Sequence, residues 1–159
     1  MRFVMDDGGR AAAGYRGRAG DCTCRAIAIA TRMPYQTVYD LLNEQSATQR
    51  ITKRQPRRGS ARTGIYRPTI RKVLENLGWT WTPTMKIGSG CTVHLREDEL
   101  PKGRLIVSVS RHMVAVIDGV IHDTRDPSRR GTRCVYGYWK QGKPSEPARS
   151  MWSKLISWF

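Results

Sequence analysis

The residues with the clearest chemical potential are two cysteines, Cys22 and Cys24, and a histidine ninety positions after the first, His112. A thiol attacks as thiolate. The start of a helix favours that form, because unpaired backbone N–H groups and the helix dipole stabilise a negative charge. Asp21-Cys22-Thr23-Cys24 opens a compact run of small and apolar residues that predicts a buried helix over about 22–32. Asp21 is its expected N-cap, accepting from a first-turn N–H. Positions two apart lie about 200° around a helix, so one thiol faces a surface site and the other the core, badly placed to chelate one metal together. Cys22, closer to the terminus, is the candidate nucleophile. A free cysteine is also an ordinary small buried residue, so the reading depends on a base.

His112 opens a run, 112–117, that is followed by Asp118-Gly119 and a second run, 120–124. Asp-Gly between apolar runs is the strongest short-range hairpin signal, since both turn positions need positive φ. With those two residues as the turn, Ile117 pairs with Val120 and Val114 with Asp123, which makes Asp123 the diagonal neighbour of His112. A carboxylate there orients the imidazole and stabilises the imidazolium. Cys22, His112 and Asp123 form the candidate triad, with Asp126 as fallback for the third member. His122 points to the opposite face and His94 lies on another segment.

The elements that must position these residues follow from periodicity. Residues 7–20, with five glycines, read as a loop. Pro34 opens a second helix, about 35–48, with Val38, Leu41 and Leu42 on one face, and a third spans about 67–77, ending at Gly78. Beyond Gly78 the period changes from about 3.6 to 2. Strands are expected at Trp79–Thr82, in part at Cys91–Leu95, then at Arg104–Ser110, His112–Ile117, Val120–Thr124 and Cys134–Trp139. Trp79 and Trp81 share a face and read as core. The order is helices first, antiparallel sheet second, an α+β fold in a single domain over 1–159, with an amphipathic tail at about 149–159.

The chain carries 28 Lys and Arg against 13 Asp and Glu, a net charge of +15, which makes anionic partners plausible. No acid occurs between Ser46 and Val73, where nine basic residues fall. The first part, a basic loop at about 50–66, contains Arg50, Lys53, Arg54, Arg57, Arg58 and Arg62. It reads as a solvated surface or as an arm for nucleic acid or an acidic protein partner. Arg129 and Arg130, with Arg133, form a second basic cluster near the hairpin. No apolar run reaches membrane-span length and no signal peptide is visible, so the expected compartment is a cytoplasm with reduced thiols. Four cysteines at irregular spacing do not make a disulfide framework, and Cys91 and Cys134 read as core or strand residues. No paired CxxC spacing supports zinc, and no cofactor motif is present.

The strings GDCTCRAIAIATRMPYQTVYDLL, from Gly20, and SVSRHMVAVIDGVIHDTRDPS, from Ser108, resemble papain-like cysteine peptidase domains, closest to small phage and bacterial members. The likeness covers about a third of the chain. It implies a papain-like fold, with N-terminal helices carrying the cysteine packed on a C-terminal sheet. It also implies Cys22 as nucleophile, His112 as base and Asp123 as orienting residue, acting on a peptide or isopeptide bond. Two features depart from the pattern. The oxyanion-hole glutamine of papain-type enzymes is replaced by Arg16, the candidate donor here beside the Cys22 N–H. Cell-wall endopeptidases continue Asp-Cys with Ser-Gly, where this chain has Thr23-Cys24. The alternative is an inert virion structural or accessory protein on the same fold, whose basic surfaces bind nucleic acid or acidic phage subunits. The corresponding locations are host cytoplasm or virion.

Overall fold

A computed structural model describes residues 1–142, and the tail expected at 149–159 lies outside them. Three helices, α1 (Cys22–Thr31), α2 (Tyr35–Ala47) and α3 (Arg67–Asn76), cover one face of a six-stranded sheet. The strands are β1 (Arg2–Met5), β2 (Trp79–Pro83), β3 (Arg104–Val109), β4 (His112–Ile117), β5 (Val120–Asp123) and β6 (Val135–Gln141), in spatial order β1-β5-β4-β3-β6-β2. The fold is α+β, as the change of period predicts. Among the described residues no helix is long and apolar enough to cross a membrane.

Alternation along the central strands divides the interior in two. Ile106, Met113 and Ala115 join Ile27, Leu42, Val73 and Leu74 in the core under the helices. Leu105, Val107, Val114, Val116 and Ile121 turn to the other face, where Leu95, Leu100 and Val135 cover them. Central strands buried on both faces explain why 104–109 and 112–117 read as continuous apolar runs. The β4–β5 hairpin has the expected register, Ile117 opposite Val120, and its turn has φ of 48° at Asp118 and 78° at Gly119. Trp79 is buried and Trp81 packs on Trp139 with ring centroids 5.3 Å apart. The indole of Trp81 leaves only 2.4 Å for a Cβ at position 137, which Gly137 lacks.

Four expectations need correction. The sheet is mixed, because β1 adds to β5 in parallel. Its four residues carry no alternation, so nothing local announces the strand; the free edge of β5 supplies the pairing. Residues 91–95 form no strand beyond a single His94–Cys134 bridge. That bridge brings Cys91 and Cys134 to a Cα separation of 5.8 Å, and the two are joined in a disulfide rather than being reduced core residues. Asp21 stands at the N-cap position of α1 without capping it, since its carboxylate is drawn to other partners.

The far end of α1 is fixed independently. The Arg104 guanidinium of β3 donates to the carbonyls of Ala30, at 2.6 Å, and Ile29, satisfying last-turn acceptors and opposing the negative end of the helix dipole. Arg104→Ala is expected to lower unfolding free energy by about 2 kcal/mol, the worth of a charged hydrogen bond of this kind. A urea titration checks this, with Arg104→Lys recovering part of the loss.

Candidate active site

His112 begins β4 and Asp123 ends β5, so hairpin geometry places both at one end of the ladder, where α1 begins with Cys22. His112 Nε2 lies 2.6 Å from Asp123 Oδ2. The ring edge bearing Nδ1 is free of Asp123, and the His112 side chain and the Met113 backbone N–H are the polar groups that act on the Cys22 thiol. The three residues singled out in the sequence therefore meet. Cys22 is half-buried, His112 is partly exposed, and Asp123 is 4 % exposed.

The electrostatics follow from these contacts. Burial opposes ionisation of Cys22. The His112 hydrogen bond, the Met113 N–H and the charges of His112 and Arg25 outweigh it, so the thiol lies below its ordinary value. Burial likewise opposes charge on His112, but hydrogen bonds to Asp123 and Cys22 carry it up to about 9. Burial would raise Asp123. The His112 hydrogen bond and charge, the Thr124 N–H at 2.7 Å and Arg25 hold it below the usual carboxylate range. The two shifts run in the same sense, the thiol down and the imidazole up, which is the direction of a thiolate–imidazolium pair. Cys24, two residues on, is fully buried. Desolvation pushes its thiol up to about 12, and its sulfur lies 3.8 Å from the Tyr35 carbonyl.

Arg25, one turn into α1, holds the site together. Its guanidinium pairs with Asp21 through Nη1 and approaches Asp123 Oδ1 to 3.4 Å through Nη2. Asp21, 1 % exposed, also receives the Tyr35 hydroxyl at 2.6 Å and lies 3.1 Å from Arg10 Nε. Sequence reasoning missed Arg25. Its signal was available as the i, i+4 spacing from Asp21, which puts both on one helix face.

The remaining candidates are dispersed. Arg16 is exposed; its backbone carbonyl accepts from Arg10 and Arg62, and its side chain is not among those lining the clefts at the site. Asp126 accepts from the Ser128 N–H, away from His112. Arg50, Lys53, Arg54, Arg57, Arg58 and Arg62 are all exposed on the 50–66 loop. Arg129 and Arg130, adjacent in sequence, line different cavities. His122 pairs with Asp6 at 3.3 Å and His94 with Glu99 at 3.1 Å. Among the described residues no group of three His, Cys, Asp or Glu side chains is arranged to hold a metal ion.

Two clefts adjoin the site, of about 630 and 760 Å³, and share Ala19, Arg25, Thr124 and Arg125. His112 and Asp123 line the first; Cys22 lines neither. Compared with protein-family models, curated proteins and solved structures, the chain matches none.

Two outcomes test the site. With iodoacetamide, Cys22 is expected to be alkylated at pH values where an ordinary thiol is protonated, while Cys24 reacts only on unfolding. Peptide mapping by mass spectrometry reads both, and His112→Ala should move Cys22 reactivity toward higher pH. Arg25→Met leaves Asp21 and Asp123 without their shared cation and is expected to destabilise the fold by about 3 kcal/mol, as for a broken buried ion pair. Denaturant unfolding measures that loss.

Proposed function

We propose that this chain is a papain-like cysteine hydrolase acting on a peptide or isopeptide bond. The observation that carries the reading is the 2.6 Å contact between His112 and Asp123 at the N-terminus of the helix that begins with Cys22. The lowered thiol and raised imidazole support it, since acyl transfer needs a nucleophile that ionises more readily beside a charged proton donor.

In the proposed reaction the Cys22 thiolate attacks the carbonyl carbon, and the carbonyl electron pair moves to oxygen. The Cys22 N–H, at the first position of α1, is the candidate donor to that oxyanion. As the intermediate collapses, His112 gives the proton on Nδ1 to the departing amine, leaving a thioester on Cys22. His112 then takes a proton from water, whose oxygen attacks the thioester and expels the thiolate. An amide and water become an amine and a carboxylic acid. Asp123 keeps its bond to Nε2 throughout, holding the ring and stabilising the imidazolium.

Turnover of a quenched fluorescent peptide library tests this. Cys22→Ala is expected to remove activity and Asp123→Asn to lower kcat about a hundredfold. The rate should fall on the alkaline side near pH 9, as His112 loses the proton it must donate. Loss of the Asp123 charge should move that limb to lower pH, because the carboxylate is what raises His112. Absence of turnover, together with Cys22 reactivity no greater than that of a free thiol, overturns the reading.

A second reading keeps the fold without the chemistry, as a structural or accessory virion protein. The observation favouring it is the 50–66 loop, whose six basic side chains are exposed and, among the described residues, have no carboxylate within 4.0 Å. It requires association with nucleic acid or acidic subunits that weakens steeply with salt.

A further inference from the structure

The cleft lined by His112 and Asp123 also presents Arg25, Arg111, Arg125, Arg129 and Arg133. Asp123 is the one carboxylate in its wall, and it is already engaged by His112, Thr124 and Arg25. Among the described residues, no acidic side chain lies within 4.0 Å of Arg111, Arg125, Arg129 or Arg133. Four cations gathered around one hollow without counter-charge repel one another, and that arrangement has a reason if an anion completes it.

The wall is built rather than incidental. Arg111, in the β3–β4 turn, has φ of 55°, and Arg129 and Arg130 have φ of 51° and 57° ahead of Gly131 at 78°. Side-chain-bearing residues adopt this left-handed conformation only at an energetic cost, and such residues concentrate where a site must be shaped. Here the left-handed turn separates Arg129, which lines the cleft, from Arg130, which lines another cavity beside Glu97, Asp98 and Asp126. Arg133 ties the two parts of the wall by donating from Nη2 to the Ser110 carbonyl. Its guanidinium is destabilised by burial and by the neighbouring Arg129 charge, as expected for a cation lacking its counterion.

We propose that this cleft is a subsite for an acidic residue next to the scissile bond, so that the substrate is an acidic peptide whose carboxylate is held by Arg111, Arg125 and Arg129. The inference rests on the hydrolase reading for the position of the bond, while the recognition itself requires only the cleft. A hollow of about 630 Å³ has room for one or two peptide residues. The planar guanidinium fork matches a carboxylate in two-point geometry. Arg25 and Arg125 also line the second cleft with Arg10, Arg18 and Arg62, so positive charge continues past the site. A neutral or basic peptide would leave the arginines unpaired, and the site would discriminate against it.

The test uses the full chain carrying Cys22→Ala and a labelled hexapeptide with two adjacent glutamates, followed by fluorescence anisotropy. Its twin with glutamine at both places and a hexathymidylate strand serve as comparisons. The glutamate peptide is expected to bind about tenfold more tightly than the glutamine twin. The exposed pair Arg125→Gln and Arg129→Gln should lower that affinity about tenfold, while Lys72→Gln, which removes one charge from α3, should not. On the chain with Cys22 intact, the same arginine pair should raise KM for acidic peptides and leave kcat nearly unchanged. Equal binding of the glutamate and glutamine peptides, or equal losses in the arginine pair and Lys72→Gln, overturns the proposal. So does a hexathymidylate strand that binds through Arg125 and Arg129 more tightly than the peptide. Discrimination without any turnover supports the acidic subsite and refutes the hydrolase; turnover indifferent to acidic residues does the reverse.

Discussion

The site depends on one partly buried cation. Arg25 belongs to α1, pairs with Asp21 on its own helix and reaches Asp123 at the end of β5. Two carboxylates that are 1 % and 4 % exposed need positive charge beside them in the interior, which Arg10 gives Asp21 and His112 gives Asp123, and a shared positive charge to tie them together. Arg25 supplies it and in doing so sets the distance between the nucleophile helix and the histidine hairpin. A buried ion pair is weak evidence for stability, because desolvation offsets much of the attraction. Its value here is positional. The same attraction explains why Asp21 gives up the capping role that its place in the sequence predicts: Arg25, Arg10 and Tyr35 compete for the carboxylate. The first-turn N–H groups thus stay free of that carboxylate beside Cys22.

With Arg104 of β3 holding the last carbonyls of α1, the helix is tied to the sheet at both ends, by its own Arg25 to Asp123 and by Arg104. Only the helix between them relies on packing, through Ile27 and its neighbours. That division matters for a nucleophile at a helix terminus, where fraying is otherwise easiest. It also places the chemistry at the rim of the sheet rather than between its layers. Met113 and Ala115 face the helices while Val114 and Val116 face away, so alternation puts His112 on the far row. Cys22 meets it only because both stand at the ends of their elements.

Much of this was readable from residue order. The three helices appear within about a residue of their expected bounds, and the Asp-Gly turn alone determined the register that brings Asp123 to His112. What sequence could not reveal depends on neighbours distant in the chain. β1 is a strand because β5 has an open edge, not because Arg2–Met5 alternates. Cys91 and Cys134 are 43 positions apart and become a disulfide through a pairing at His94 that has no local signature. Arg129 and Arg130 looked like one cluster because charge was counted along the chain, whereas a left-handed turn sends them into different cavities.

Cys22 and Cys24 show how far chemistry is set by position rather than residue type. Both belong to the first turn of α1, and both are desolvated, which by itself raises a thiol. For Cys24 little opposes that: the Tyr35 backbone is its contact, and the nearby Asp21 charge works in the same direction as burial. For Cys22 the opposing influences are a positively charged ring, a backbone N–H and the same arginine that neutralises the two acids. A rotation of about 200° along one helix therefore separates a core thiol pushed up to about 12 from one held below its ordinary value. The surplus of positive charge in the chain acts at this point twice, once through Arg25 on the thiolate and once through the arginines lining the cleft beside His112.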